Sequence, residues 1–238
     1  MLEVLVDVDV GQARTGVPPG PKAAELAAQI ARSPNLRFLG LQGYQGRLQG
    51  VPALSERDLL IRGAMTKLAE SERFVREAGL QCAVKTGGGT GSFHVDLKLG
   101  LLNELQPGSY TTMDTNYAKV ELGGADAHPL GQPLTILATV ISRPTADRAV
   151  LDVGWKSASS DSGTPLLRGH PGLIFEFAGD EHGIVRSGGA PLNLALGERV
   201  ELVPSHCDTT VNLYDSFVVH RDGKPEASWP IVARGRSG

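Results

Sequence analysis

Apolar and acidic residues alternate from the first positions of the chain. Residues 2 to 10 put Val4, Val6, Val8 and Val10 on one side of an extended strand and Glu3, Leu5, Asp7 and Asp9 on the other. A polar turn follows. Gly20-Pro21 then opens a helix with proline at its first position and Ala23, Leu26, Ala27 and Ile30 as the buried stripe. The order repeats: Phe38 to Tyr44 reads as a second strand, Ser55 with Asp58 three residues on caps a long helix that stops at Gly79, and Cys82-Ala83-Val84 leads into a glycine-rich turn. A shorter helical or loop segment over 97 to 105 precedes a predicted fourth strand, Ser109 to Asp114. Strand-then-helix repetition predicts a parallel sheet or barrel with ligand-binding turns at the carboxyl ends of its strands.

The pattern changes near residue 120. Beyond it the chain reads as strands only: Leu134 to Ile141, Arg148 to Val153, Leu173 to Phe177, Arg199 to Val203, and a hairpin across Asp222-Gly223. The expected fold class is α/β followed by all-β. Residues 1-122 would form a partial TIM-type β/α barrel, about half of one, since a complete barrel needs about 250 residues by itself. Residues 123-238 would form a β domain, with Gly123 to Pro129 as the linker.

Composition narrows the partners. A chain of 238 residues with 41% hydrophobic and 21% charged side chains is the mixture of a soluble globular protein with a real core. A formal charge of -3 offers no basic patch, so neither a nucleic acid nor an anionic membrane is expected, and a small-molecule partner fits better. Cys82 and Cys207, far apart, argue against a disulfide framework and suit a reducing compartment, with the cytoplasm as the default. No apolar run approaches the ~20 residues that span a bilayer, and the amino terminus lacks a basic leader.

Candidate chemistry gathers at two places. In Lys85 to Ser92, three consecutive glycines can put successive backbone N–H groups on one concave side, a geometry that cradles a phosphate, with Thr90 and Ser92 adding hydroxyl donors. A merely flexible loop is the competing explanation. No Lys-Ser or Lys-Thr closes a P-loop pattern, and Ser92 replaces the third glycine of the dinucleotide fingerprint, so a nucleotide is not the first expectation. The second place is His206-Cys207-Asp208. In an extended segment His206 and Asp208 share one side and can bind one cation, leaving positions open for water or substrate, while Cys207 faces away. A surface pair without a metal is the alternative. Asp7 and Asp9 suit the polar end of a barrel, and Asp180-Glu181-His182-Gly183 suits a tight hairpin turn before a catalytic histidine. Tyr44 and Tyr110, near strand ends, face a ligand or pack in the core.

Taken in order, the segments VLVDVDVGQARTGVPPG, LQGYQG, TGGGTGSF, ELQPGSYTTMD, VPSHCDTTVNLYDSF and SWPIVARG resemble the D-threonine aldolase and D-serine dehydratase family over nearly the whole chain. That family is similar to alanine racemase in fold, and the resemblance implies an eight-unit barrel holding pyridoxal phosphate, a following β domain, and dimers that complete the active sites. Gly88, Gly89 and Thr90, with Ser109 and Tyr110, resemble the phosphate cradle. Tyr44 resembles the tyrosine that hydrogen-bonds the pyridine nitrogen, and Arg14 with Thr15 the cofactor-side arginine turn. His206 and Asp208 resemble the metal pair. Family dehydratases present His-x-Cys to zinc and aldolases His-x-Asp to manganese, so Asp208 implies an aldolase and favours manganese over zinc. The implied reaction is cleavage of a D-3-hydroxy amino acid, D-threonine giving glycine and acetaldehyde. The family's Schiff-base lysine lies upstream of the matched stretch. The chain is therefore expected to be a carboxyl-terminal portion with no assignable catalytic lysine; a D-serine dehydratase-like ammonia-lyase and a non-catalytic cofactor- or metal-binding remnant are the alternatives.

Overall fold

A computed structural model describes residues 1–123 and 130–236 and resolves them into two compact units. One comprises Met1–Tyr110 with the stretch beginning at Lys119; the other comprises Thr111–Ala118 and the chain from Leu130. The expected linker lies, apart from Gly123, outside the described residues.

In the first unit β1 (Leu2–Asp7), β2 (Leu36–Gly43), β3 (Val84–Gly87) and β4 (Glu104–Leu105) form one parallel sheet in sequence order. Sequential order with every strand parallel is the arrangement of a barrel wall; a doubly wound sheet would reverse its order at a switch point. The crossovers are α1 (Pro21–Ala31), α2 (Leu54–Glu77) and α3 (Phe93–Leu99), with α1 packed on α2 and α2 on α3. β1 ends at Asp7, short of the expected Val10, yet Val6 of the strand and Val8 and Val10 just beyond it share one buried core with Ala23, Ala27, Ile30, Ile61 and Leu68. Each fully buried aliphatic chain of the size of Ile61 or Leu68 contributes roughly 1.5–3 kcal/mol.

Two expectations about this unit are corrected. The fourth strand is Glu104–Leu105, whereas Ser109–Thr111 is a single 3-10 turn. Pro107 lacks the N–H a ladder needs, so pairing ends before Ser109 and Tyr110 are reached. The cap of α2 is likewise not Ser55. Ala53 is the N-cap, and the Leu54 amide donates to Glu121 Oε2 at 2.9 Å, a carboxylate 67 residues away that no local motif could reveal.

The second unit is antiparallel. A six-stranded sheet in the order β7-β10-β5-β6-β9-β8 is built from β5 (Ile136–Thr145), β6 (Arg148–Leu151), β7 (Leu166–Leu167), β8 (Ile174–Phe177), β9 (Gly183–Arg186) and β10 (Arg199–Val203). Its two end strands, β7 and β8, also touch, so the sheet curls back on itself. Ala138, Val140, Ala149, Leu151, Val185 and Leu202 fill its core. The loop from Ala178 to His182 joins β8 to β9, with Ala178 N–H donating to His182 O at 2.9 Å, so Asp180-Glu181-His182-Gly183 serves as a hairpin connection. Asp222 and Gly223, with φ of 49° and 74°, turn β11 (Ser216–Arg221) into β12 (Lys224–Pro230). The strand β7 escapes the periodicity because two residues are too few to show one.

Candidate functional site

β3 delivers the chain directly into the glycine turn. At Gly88 the φ is +64°, and a Cβ there would lie 2.4 Å from Asp96 Oδ2; at Gly91 a Cβ would lie 2.0 Å from the backbone oxygen of Gln49. Glycine is required at both for want of room. Behind the turn sit side chains that face no solvent. Gln49, 3% exposed, accepts from the Gly91 amide at 2.9 Å and donates to Ser92 Oγ at 3.0 Å and Gln45 O at 3.1 Å. Ser92 Oγ also accepts from the Gly89 amide at 3.0 Å and donates to Asp96 Oδ2 at 2.7 Å. The expectation that Ser92 offers its hydroxyl to an anion is thereby corrected: both lone pairs and the proton are engaged behind the turn. Among the described residues, the amides of Gly88 and Thr90 have no protein acceptor. Thr90 Oγ1 accepts from the Tyr110 amide at 3.1 Å and keeps its own proton for another acceptor. The buried Asp96 has its carboxyl raised above the usual range by burial, against a single hydrogen bond from Ser92, and its Oδ1 is buried without a partner.

At the neighbouring strand ends Asp9 Oδ1 accepts from the Gly11 and Ala13 amides, both at 2.9 Å, and these bonds shape the turn and hold its carboxyl low. Asp7 accepts from the Thr15 hydroxyl at 2.7 Å and from Gln42 Nε2 at 3.2 Å. Gln106 Nε2 in turn reaches Gln42 Oε1 at 3.3 Å and Thr86 Oγ1 at 3.0 Å. A hydrogen-bonded chain of polar side chains therefore crosses the ends of β1, β2 and β3, with Asp7 in it, while Asp9 is a turn builder. The Arg14 guanidinium lies 5.7 Å over the Tyr44 ring. Lys85 is committed elsewhere: its Nζ is 3.1 Å from Glu72 Oε1 on α2, and its side chain is 17% exposed. Two surface hollows, one along Glu72, Arg73 and Arg76 and one lined by Leu54, Asp58, His94 and Glu121, contain none of the cofactor or metal residues expected from sequence.

In the second unit His206 is extended (φ −146°, ψ 119°) and precedes the short helix α4 (Cys207–Val211). Asp208 thus sits in a first helical turn, which corrects the expectation of a continuous extended segment. The two side chains still meet, with His206 Nε2 3.3 Å from Asp208 Oδ2. Two donors about 2.1 Å from one divalent ion and at right angles are about 3 Å apart, so this spacing suits a single ion. Cys207 does face away: it is 3% exposed, its thiol donates to Met113 O at 2.9 Å, and burial pushes its pKa up to about 12. Asp114 Oδ2 caps α4 from the Cys207 amide at 3.1 Å, and its Oδ1 accepts from the Asn116 and Tyr117 amides. Among the described residues no three imidazole, thiol or carboxylate groups converge as a ligand set.

Behind His206 lies Asp161, 2.5 Å from Nδ1. Burial would raise its carboxyl, but hydrogen bonds from Ser159, His206 and Thr209 outweigh that and hold it far below the usual range. Sequence reasoning missed Gln49, Asp96, Asp114 and Asp161. Gln49, Asp114 and Asp161 act through partners distant in sequence, and Asp96 through Ser92 one helical turn before it.

Residues 1–116 match the family model "Alanine racemase, N-terminal domain" and residues 133–220 the model "Putative serine dehydratase domain". The chain is 43% identical over 236 residues to a D-threonine aldolase of Arthrobacter sp, covering 99% of this chain and 62% of the relative. It is 35% identical over 238 residues to a 3-hydroxy-D-aspartate aldolase of Paracoccus denitrificans (strain Pd 1222), covering 99% and 61%. The crystal structure of D-threonine aldolase from Filomicrobium marinum superposes with a TM-score of 0.92 at 38% identity, over 98% of this chain and 64% of that one. The chain thus spans about three-fifths of the length of these two curated aldolases.

Proposed function

The chain belongs to the D-threonine aldolase and D-serine dehydratase family, being homologous to its aldolases over nearly its whole length, and from that premise we propose that it anchors pyridoxal phosphate and a divalent metal in a lyase that cleaves D-3-hydroxy amino acids. The observation that carries this is the glycine turn, where two amides without protein acceptors and one hydroxyl proton border a turn with no room for a Cβ at Gly88 or Gly91. That donor set is neutral and made mostly of backbone, as phosphate cradles are. The 3.3 Å spacing of His206 and Asp208 supports the metal.

When bound, the cofactor would supply an electron sink for breaking a Cα–Cβ bond and the ion would acidify the substrate's β-hydroxyl. The residues of this chain do the holding. Gly88 and Thr90 N–H groups bind and orient the phosphate, with Gly89 in the same turn and with Ser109 and Tyr110 beside Thr90. Gln49 and Ser92 keep the turn's shape. Arg14 and Tyr44, stacked on each other, are assigned to the ring, with Thr15 fixed to Asp7 beside them. His206 Nε2 and Asp208 hold the ion and so orient the hydroxyl. No lysine of the chain is assigned to the cofactor's carbonyl carbon; Lys85 is held by Glu72. In the proposal that amine comes from the part of the relatives' length this chain does not span.

Cleavage of D-threonine with added pyridoxal phosphate and Mn²⁺, comparing this chain with one extended by its upstream coding sequence, tests the proposal. Glycine and acetaldehyde are expected from the extended chain, none from L-threonine, and a loss of at least 100-fold in His206→Ala. Inactivity of the extended chain would contradict it. Ammonia and a 2-oxo acid in place of glycine would establish the dehydratase alternative, which the match of residues 133–220 favours and Asp208 opposes.

A further inference from the structure

Asp161 belongs to a serine-rich turn, Ser159 to Gly163, that composition marks as a loop and nothing more. In the folded β unit its carboxylate is the centre of a hydrogen-bonded cluster. Oδ2 lies 2.5 Å from His206 Nδ1, while Oδ1 accepts from the Ser159 hydroxyl at 2.5 Å and the Thr209 hydroxyl at 2.9 Å. Ser162 Oγ approaches Oδ2 at 3.3 Å. An ionised carboxylate can only accept, so the short contact to Nδ1 places the imidazole proton there. A neutral ring with its proton on Nδ1 carries its free lone pair on Nε2. Nε2 is the nitrogen turned toward Asp208. The bond from Thr209 fastens the same carboxylate to α4, one residue beyond Asp208.

We infer that Asp161 is the positioning residue of the cation site: it holds His206 in the tautomer and orientation that present Nε2 to the ion, and through Thr209 it sets the distance to Asp208. The inference rests on the ion site proposed above and adds a residue that does not itself touch the ion. Two ligands two residues apart, one extended and one in the first turn of α4, have no third ligand among the described residues to brace them. Their alignment has to come from behind, and a carboxylate on the far nitrogen of a metal-binding histidine is a general means of supplying it.

Binding of Mn²⁺ to the whole chain, without cofactor or substrate, is followed by the electron paramagnetic resonance of the free ion. Wild type, Asp161→Asn, Asp161→Ala and His206→Ala are compared. One ion is expected per wild-type chain, with affinity about 10- to 100-fold weaker in Asp161→Ala. Asp161→Asn keeps an acceptor for the Nδ1 proton and is expected between the two; His206→Ala is expected to bind no better than Asp161→Ala. ¹⁵N-detected proton exchange on the metal-free chain reads the tautomer separately, with Nδ1 protonated in wild type and Nε2–H gaining population in Asp161→Ala. Unchanged Mn²⁺ affinity and unchanged tautomer in Asp161→Ala would overturn the role of Asp161 and leave the ion site standing. Mn²⁺ binding as tight in His206→Ala as in wild type, or absent from wild type, would overturn the ion site and this inference together.

Discussion

Asp96 in the α/β unit and Asp161 in the β unit are both carboxylates set behind groups proposed to meet a ligand, yet their environments push them in opposite directions. Asp96 is 2% exposed and receives one hydrogen bond, from Ser92, so burial wins and its pKa rises. Asp161 stands at the surface and receives hydrogen bonds from Ser159, His206 and Thr209, so the ionised form wins. The difference fits the chemistry proposed for each unit. A phosphate is repelled by a charge behind its cradle, whereas a cation is helped by one behind its histidine. In the proposal the α/β unit therefore works through backbone amides locked by buried groups, and the β unit through half-exposed side chains steered by one anion.

Breaking the locked side should cost the fold, and breaking the steered side should cost affinity alone. The largest effect is expected from Gly91→Ala, whose Cβ would collide with the backbone of Gln49 at 2.0 Å. A loss of about 3 kcal/mol in the urea unfolding of the chain is expected. Gln49→Ala leaves the buried Gly91 amide without its acceptor and should cost about 2 kcal/mol, with a matching loss of phosphate affinity. In contrast Asp161→Asn should unfold within about 1 kcal/mol of wild type, since its carboxylate is exposed.

Asp96→Asn sharpens the contrast through pH. Its folded pKa is raised, so the stability tied to the protonated form is complete below the unfolded value of about 3.9 and is lost as pH rises through the folded pKa. The variant cannot ionise. Wild type and Asp96→Asn should therefore unfold alike at the acid end, and the variant should gain on wild type as pH climbs above about 4. Parallel stability curves across that window would contradict a raised Asp96 pKa. The smallest effect is expected for Lys85→Gln: Glu72 retains Arg76 at 2.7 Å, so a change within about 1 kcal/mol and no change in cofactor affinity are expected.

Much of this was legible before folding. The valine face of β1, the stripe of α1 and the Asp222-Gly223 turn follow from period and turn chemistry alone, because each is decided by residues adjacent in sequence. The glycine turn and the His-x-Asp pair were legible as chemistry for the same reason. What holds them was not. Gln49 reaches Ser92 across 43 residues, Asp161 reaches His206 across 45, and Glu121 caps α2 across 67. No local pattern encodes such partners. The misplaced fourth strand has the opposite cause: Ser109 to Asp114 has the β-prone side chains of a strand, but Pro107 had already ended the pairing, and buried Asp114 instead caps α4.

The central claim is that the amides of Gly88 and Thr90, which have no protein acceptor, take a phosphate. Fluorescence titration of the chain with pyridoxal 5'-phosphate and with pyridoxal, which differ only in that group, tests it most directly. Binding at least about tenfold tighter for the phosphorylated form, displaced by inorganic phosphate and weakened in Gly88→Ala, is the expected result. Equal binding of the two compounds, indifferent to added phosphate, would contradict it.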